Sequence, residues 1–213
     1  RQMCIRDRDK LVPYRNHRFT LYKGERLEDM IQSIKKNGVI TPIIVRTMDN
    51  GKYEILSGHN RVYAAGQAGI TSVPAVVKTD LSDEDAEIYV VETNLIQRGF
   101  KDLKISEQAF AVGLRYSKLF DDRKLKGIND ELYLIENGKP NPNADVPVEH
   151  STTREATAEE YGISSATVAR LLRVNRLIDE FKELVDKENI KLRSAVDISF
   201  MTEEQQKLTY SVM

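Results

Sequence analysis

Five consecutive residues, Ser57-Gly58-His59-Asn60-Arg61, have the types and spacing to hold an anion. An alternating run from Tyr53 to Leu56 leads into them and a helical, small-residue run from Arg61 to Ala68 leads out, so the backbone must turn at Gly58 where a helix begins. A helix start offers N–H groups without intrahelical acceptors and a partial positive charge. Glycine lets the backbone approach a ligand closely, and an arginine adds a two-pronged donor. The chemistry expected is the cradling of a phosphate. Taken alone, the same residues also fit an ordinary capped turn between a strand and a helix.

Two further stretches carry polar chemistry. Glu92, Asn94, Gln97 and Arg98 fall at or near the C-terminal end of a later helix, where Arg98 also complements the helix dipole and the group fits a solvated helix end equally well. From Arg154 to Arg173, Ala158, Gly162, Val168 and Leu171 have the spacing of a helix-turn-helix: a small residue where two helices cross, a glycine at the turn and apolar residues seating the second helix. The first helix is expected to end at Tyr161, the turn to be Gly162-Ile163-Ser164, and the second helix to begin near Ser165 with Ser164 as its cap. Ser164 to Arg176 contains Arg170, Arg173 and Arg176 and no acid. In a major groove such a helix presents Ser165, Ala166, Thr167 and Arg170 to base edges, while Arg173 and the Ser164 backbone N–H suit phosphates. The alternative is a plain helical hairpin with exposed arginines.

The elements that must position these residues are legible in the periodicity. Leu27, Met30, Ile31 and Ile34 make one face of a helix opening at Gly24 and closing at Asn37-Gly38. Pro42 to Arg46 and Lys52 to Leu56, separated by Asp49-Asn50-Gly51, read as a hairpin. Val73 to Lys78 reads as a strand that Pro74 places at a sheet edge. Ser82 with Asp85 opens the next helix, through Leu95. Helices are expected from about Ser106 to Phe120, with Leu119 among its apolar residues, and from Asp130 to Ile135. Residues 137–150, with Gly138-Lys139-Pro140-Asn141-Pro142-Asn143 and Pro147, read as a linker. Leu177 to Val185 and Ala195 to Phe200 read as amphipathic helices packing on the helix-turn-helix, and Thr202 with Gln205 opens a last helix expected to continue beyond Met213. The leading segment Arg1 to Arg8 is patternless and is expected to stand outside the fold. The fold class expected is an α+β domain over residues 9–104 followed by an all-α domain over 105–213.

With 213 residues the chain can bury two small cores. Its 40% hydrophobic and 31% charged residues are those of a soluble globular protein, and its net charge of −1 leaves nucleic-acid binding to local charge. The single cysteine, Cys4, excludes an internal disulfide and a cysteine-only metal cluster. With no apolar run near membrane-span length and no leader pattern, a cytoplasmic location and no membrane partner are expected.

The hairpin leading into Ser-Gly-His-Asn-Arg-Val-Tyr-Ala-Ala, then Val-Pro-Ala-Val-Val, then Glu92-Thr93-Asn94-Leu95-Ile96-Gln97-Arg98, then the helix-turn-helix, resembles the ParB family of chromosome and plasmid partition proteins, in a variant like those of mobile elements in Gram-positive bacteria. The resemblance covers about Glu25 to Gln206. It implies a ParB/sulfiredoxin-like first domain that binds CTP with Mg²⁺, at most a slow CTPase, and acts as a clamp on double-stranded DNA at a palindromic partition site. It also implies a homodimer and a ParA-type ATPase as partner. The family's Gly-Glu-Arg-Arg motif is matched at Gly58 and Arg61, with His59 and Asn60 between. In its Glu-Asn motif Asn94 takes the Asn position, Thr93 stands where Glu is expected, and Gln97-Arg98 is displaced by one residue. The resemblance thus marks Ser57, Gly58, His59, Asn60, Arg61, Asn94, Gln97 and Arg98 for the nucleotide and Glu92 with Asn94 for the metal. The same fold serves sulfiredoxin, excluded by the absent cysteine in this turn, and a free-serine kinase, disfavoured by Ser57 in place of an acid. A nuclease-type relative and a transcriptional regulator without nucleotide stand as the other readings.

Overall fold

The hairpin expected around Asp49-Asn50-Gly51 is the centre of a five-stranded mixed sheet. The computed structural model describes residues 3–116, 122–142 and 154–213. Strands β1 (Met3–Asp7), β2 (Leu11–Pro13), β3 (Ile43–Thr47), β4 (Tyr53–Ser57) and β5 (Ser72–Lys78) lie in the order β1-β5-β3-β4-β2. β3 pairs antiparallel with β4, with a register shift at Ile44/Val45, and parallel with β5; β2 joins β4 in parallel. Gly51, at φ 72°, closes the turn by donating to the Met48 carbonyl, a conformation glycine adopts at no steric cost.

Helices α1 (Gly24–Asn37) and α2 (His59–Gln67) pack against each other and, with the sheet, enclose the core formed by Ile34, Ile43, Val45, Ile55, Ala64, Ala65, Val73 and Ala75. Ala64 and Ala65 are fully buried. Their small side chains let α2 lie close to the strands, which positions its first turn directly after β4. Helix α3 (Asp83–Arg98) starts where the Ser82 hydroxyl accepts from the Asp85 N–H, and buries Ala86, Ile88, Tyr89, Val90 and Val91.

Two expectations change. The leading segment is not outside the fold: Met3–Asp7 pairs antiparallel with β5, Ile5 opposite Pro74. Strand pairing needs only the backbone groups along a free edge, so a segment without side-chain periodicity can supply it. Consequently β5 lies inside the sheet, although Pro74 marks the edge of the other four strands. Helix α4 is described over Ile105–Tyr116, and the rest of the stretch expected to reach Phe120, Leu119 included, lies outside the described residues. Helix α5 (Asp122–Asn137) is longer than the Asp130–Ile135 stretch expected, and the linker beyond residue 142, Pro147 included, is likewise outside the described residues.

By contacts the chain forms two units, one of residues 1–96 with 126–145 and another of 97–125 with 146–213. A single cut at residue 104 misses the return of α5 to the first unit. There its Glu131 carboxylate, 7% exposed, accepts from Lys78 Nζ and from the Tyr89 hydroxyl. A buried carboxylate met by a cation and a hydroxyl fastens the helix to β5 and α3.

The second unit is all helical. Besides α4 it holds α6 (Arg154–Tyr161), α7 (Ser165–Val174), α8 (Asp179–Asp186), α9 (Leu192–Ile198) and α10 (Glu203–Ser211). Val168, Leu171, Val174, Leu177, Phe181 and Ala195 form its interior. Gln206, only 1% exposed, sits at the joint of α10: its Oε1 accepts from the Ile178 N–H, and its Nε2 donates to the Arg176 and Met201 carbonyls. This side chain therefore ties the turn after α7 to α10. Gln206→Ala is expected to cost about 2 to 3 kcal/mol, by orphaning these buried backbone groups, read as a lowered urea midpoint at an unchanged slope.

Candidate functional site

Helix α2 begins on Gly58, which takes the left-handed conformation at φ 96° and carries no side-chain cap. A Cβ at this position would lie 2.6 Å from Ile43 Cγ2, so both the conformation and the packing require glycine. The first-turn amides that follow have no intrahelical acceptor. Arg61 lies beside them, on the wall of a cavity of about 460 Å³ that Tyr22, Arg26, Asp29, Ser33 and the segment Gly38 to Thr41 also line. A cavity of this volume suits a ligand the size of a nucleotide.

The guanidinium of Arg61 is already engaged. Its Nη1 donates to the Thr41 and Pro42 carbonyls, both at 2.9 Å, and its Nη2 reaches Ser57 Oγ at 3.2 Å and Glu136 Oε1 at 3.4 Å. Burial lowers its pKa from the ordinary arginine value, with the Glu136 carboxylate opposing. The sequence marks Arg61 as a phosphate ligand; the fold uses the same fork to hold the end of β4 to the entry of β3.

His59 and Asn60 face a different partner. The segment of residues 14–22 runs along this end of α2 and is fastened to it twice: the Tyr14 N–H donates to His59 Nε2 at 3.3 Å and the Tyr22 N–H to Asn60 Oδ1 at 2.8 Å. A third point is the Arg15 N–H, which donates to Glu54 Oε1 at 3.0 Å. Glu54 is itself buried and accepts from Arg46 across the hairpin. The His17 ring lies on the His59 ring with centroids 3.7 Å apart. His59 and Asn60 therefore position a strap, and Tyr14, His17, Tyr22 and Glu136 join the site unannounced by the sequence. Their partners lie 38 to 75 positions away, a distance over which no periodicity speaks.

On α3, Glu92 and Asn94 are buried, and Asn94 Nδ2 donates to the Val90 carbonyl of its own helix at 2.8 Å. Among the described residues no group of three or more His, Cys, Asp or Glu stands ready to hold a metal. Gln97 and Arg98 belong to the second unit, where Arg98, 7% exposed, lies 3.8 Å from the buried Glu107 of α4. Its charge is met by an internal carboxylate rather than by solvent.

In the second unit the turn is as the spacing indicates. Gly162 takes φ 61° after α6, the Ile163 N–H returns to the Ala158 carbonyl at 2.9 Å, and Ser164 caps α7, its Oγ accepting from the Thr167 N–H at 3.1 Å. Ala158, Val168 and Leu171 are buried, so the opposite face of α7 is outward. Ser164 and Arg170 are exposed, Ser165 and Thr167 half-buried, and the guanidinium carbon of Arg173 lies 3.4 Å over the Phe200 ring. Phe200, expected among the packing residues, stands beyond the end of α9 and is 71% exposed.

Residues 7–94 match the ParB N-terminal domain and residues 144–213 the ParB HTH domain. The chain belongs to the ParB family. It is 32% identical over 187 residues to a nucleoid occlusion protein of Lysinibacillus sphaericus, covering 88% of this chain and 51% of that protein. It is also 32% identical over 182 residues to a probable chromosome-partitioning protein ParB of Vibrio cholerae, covering 85% and 50%. The chain thus spans about half the length of the curated relatives it matches. A C-terminally truncated ParB of Caulobacter crescentus complexed with CTP-γ-S is 22% identical, with a TM-score of 0.40 over 95% of this chain and 94% of that one. No helix among the described residues of this ParB-family chain is long and apolar enough to cross a membrane.

The Gly58 site of this ParB domain carries a pH dependence. Burial, and then the neighbouring His17, hold the His59 pKa well below the ordinary 6.5. The neutral ring is the form that accepts from Tyr14. The unfolded chain binds the proton more readily than the folded one, so stability contributed by neutral His59 is present above pH 6.5 and is lost as pH falls from there through the lower folded value. Thermal unfolding followed from pH 8 to pH 5 is expected to show a midpoint that declines below about pH 6.5, and His59→Gln is expected to flatten that decline.

Proposed function

We propose that this chain is the nucleotide- and DNA-binding part of a ParB-type partition protein, acting on plasmid or nucleoid DNA of the cytoplasm. The observation that carries the proposal is the pairing, in one chain, of an uncapped glycine turn beside a nucleotide-sized cavity with a capped, outward-facing helix whose exposed positions bear arginines and no acid. In this reading α7 enters the major groove. Ser165, Thr167 and Arg170 meet base edges, and the Ser164 N–H and Arg173 meet phosphates. A palindromic duplex site is expected to be read by two copies of the chain, with a ParA-type ATPase as further partner.

In the first unit, the amides after Gly58 and the Arg61 fork are the donors for a triphosphate, CTP by family resemblance. Glu92 and Asn94 would hold Mg²⁺, a small donor set suited to an ion that keeps several waters. When bound, nucleotide and metal supply a charge that favours one arrangement of the domain over another. The chain's own residues bind and orient it; at most slow hydrolysis is expected of them. A free-serine kinase reading lacks an acid before Gly58, where the buried Ser57 hydroxyl accepts from Arg61.

Glu136 is the competitor any phosphate must displace from Arg61. By calorimetry with Mg²⁺ and DNA present, Arg61→Ala is expected to abolish CTP binding, while Glu136→Gln tightens it about fivefold by releasing Nη2. Failure of CTP, ATP and GTP alike to bind the parent chain, with DNA binding retained, would leave a DNA-binding regulator. For DNA, Arg170→Ala is expected to reduce discrimination between a site selected from random duplexes and bulk duplex by about tenfold or more. Unchanged discrimination in that variant would remove α7 from the role of reading helix.

A further inference from the structure

Phe200 is out of place for a phenylalanine. It occupies the short turn between α9 and α10, a turn secured on both sides. Ser199 Oγ donates to the Val196 carbonyl and the Met201 N–H to the Ile198 carbonyl, while Thr202 and Gln205 form a reciprocal capping box at the start of α10. The ring is thus displayed on a rigid support, 71% exposed. Something other than burial must account for it.

The contact it makes is with Arg173. A guanidinium carbon 3.4 Å above the ring centroid is at the separation of two stacked planes, so the group lies flat on the ring rather than on edge. Flat stacking consumes none of its N–H groups, which radiate in the plane of the guanidinium. The ring therefore removes freedom from a long side chain while leaving its donors available. On α7 and the turn that leaves it the charge is of one sign: Arg170 and Arg173 are three apart on the helix, Arg176 is three further on, beyond its end, and no acid interrupts Ser164 to Arg176. Like charges at that spacing repel along a helix, and a polyanion relieves the repulsion.

We propose that Phe200 is a positioning residue for a nucleic-acid backbone, its ring holding the Arg173 guanidinium so that the N–H edge meets a phosphate beside the groove that α7 enters. The inference rests on the DNA-binding reading above and adds to it a residue from outside the helix-turn-helix. Arg173 arrives at the phosphate already ordered, which lowers the entropy lost on contact. Because a phosphate carries no base information, the effect is the same on every sequence.

The test uses the full chain and a fluorescently labelled mixed-sequence duplex titrated over a series of salt concentrations. Phe200→Ala is expected to weaken binding about two- to fivefold and to lower the slope of log affinity against log salt by about one counterion. Phe200→Tyr is expected to restore both. Arg173→Ala with Phe200→Ala is expected to bind as Arg173→Ala does alone, since the ring acts through the arginine. Parental affinity and slope in Phe200→Ala would overturn the inference. So would a weakened affinity at the parental slope, which marks a merely structural residue, or a further loss on the Arg173→Ala background. A parent chain that binds no duplex at all takes down the DNA reading itself, and this inference with it.

Discussion

A guanidinium withdrawn from water has to be met by acceptors on nearly every side, and in the first unit Arg61 makes that demand at the point where four elements converge. The Thr41 and Pro42 carbonyls come from the entry to β3, Ser57 from the end of β4, and Glu136 from α5, while the arginine itself rises from the first turn of α2. Two uncharged carbonyls and a hydroxyl satisfy geometry but not charge. Glu136 supplies the charge, at a longer distance and with partial exposure. The fold is therefore closed around a cation whose anionic partner is its weakest bond. In the proposed reading that balance lets an external phosphate replace an internal carboxylate, since a charged, partly desolvated donor gains more from a doubly charged oxygen cluster than from one carboxylate.

The same end of α2 shows how one short stretch can serve two purposes. The amides after Gly58 open α2 and have no intrahelical acceptor. The side chains of His59 and Asn60 face back, accepting from the backbone of the 14–22 strap. An acceptor is required at both places; an arginine offers none, and a glutamate would bring a charge to a position where burial keeps the ring neutral. A neutral histidine accepts through one nitrogen, and an asparagine accepts through its carbonyl oxygen. The substitution of His59-Asn60 into a motif that the family resemblance gives as Glu-Arg is thus coherent with the strap it holds, and the strap in turn is tied through Glu54 to the buried Arg46 of the hairpin.

In the second unit the organising demand is different. Helices α6 and α7 are short, and a short helix draws its stability from packing rather than from its own hydrogen bonds. Val168, Leu171 and Val174 seat α7 completely, Phe100 stacks on Tyr161 with ring centroids 4.3 Å apart at the end of α6, and Gln206 holds the exit turn. With its inner face committed, α7 is free to carry on its outer face residues that its packing does not use, the exposed Arg170 above all.

What the order of residues determined by itself was everything set by neighbours a few positions apart. The hairpin turn at Gly51, the glycine start of α2, the helix-turn-helix spacing from Ala158 to Leu171 and the capping box at Thr202 follow from turn chemistry and periodicity, which are local, while the family was pointed to by the resemblance of its residue motifs. What only the tertiary structure decided were partnerships between distant residues. Met3–Asp7 pairs with β5 because a free strand edge accepts any extended backbone. His59 and Asn60 hold a strap, Arg61 answers to Glu136, and Phe200 stays in solvent beneath Arg173 instead of packing inward. A side chain's type limits which bonds it can make, but only the folded chain determines which partner stands within reach to make them.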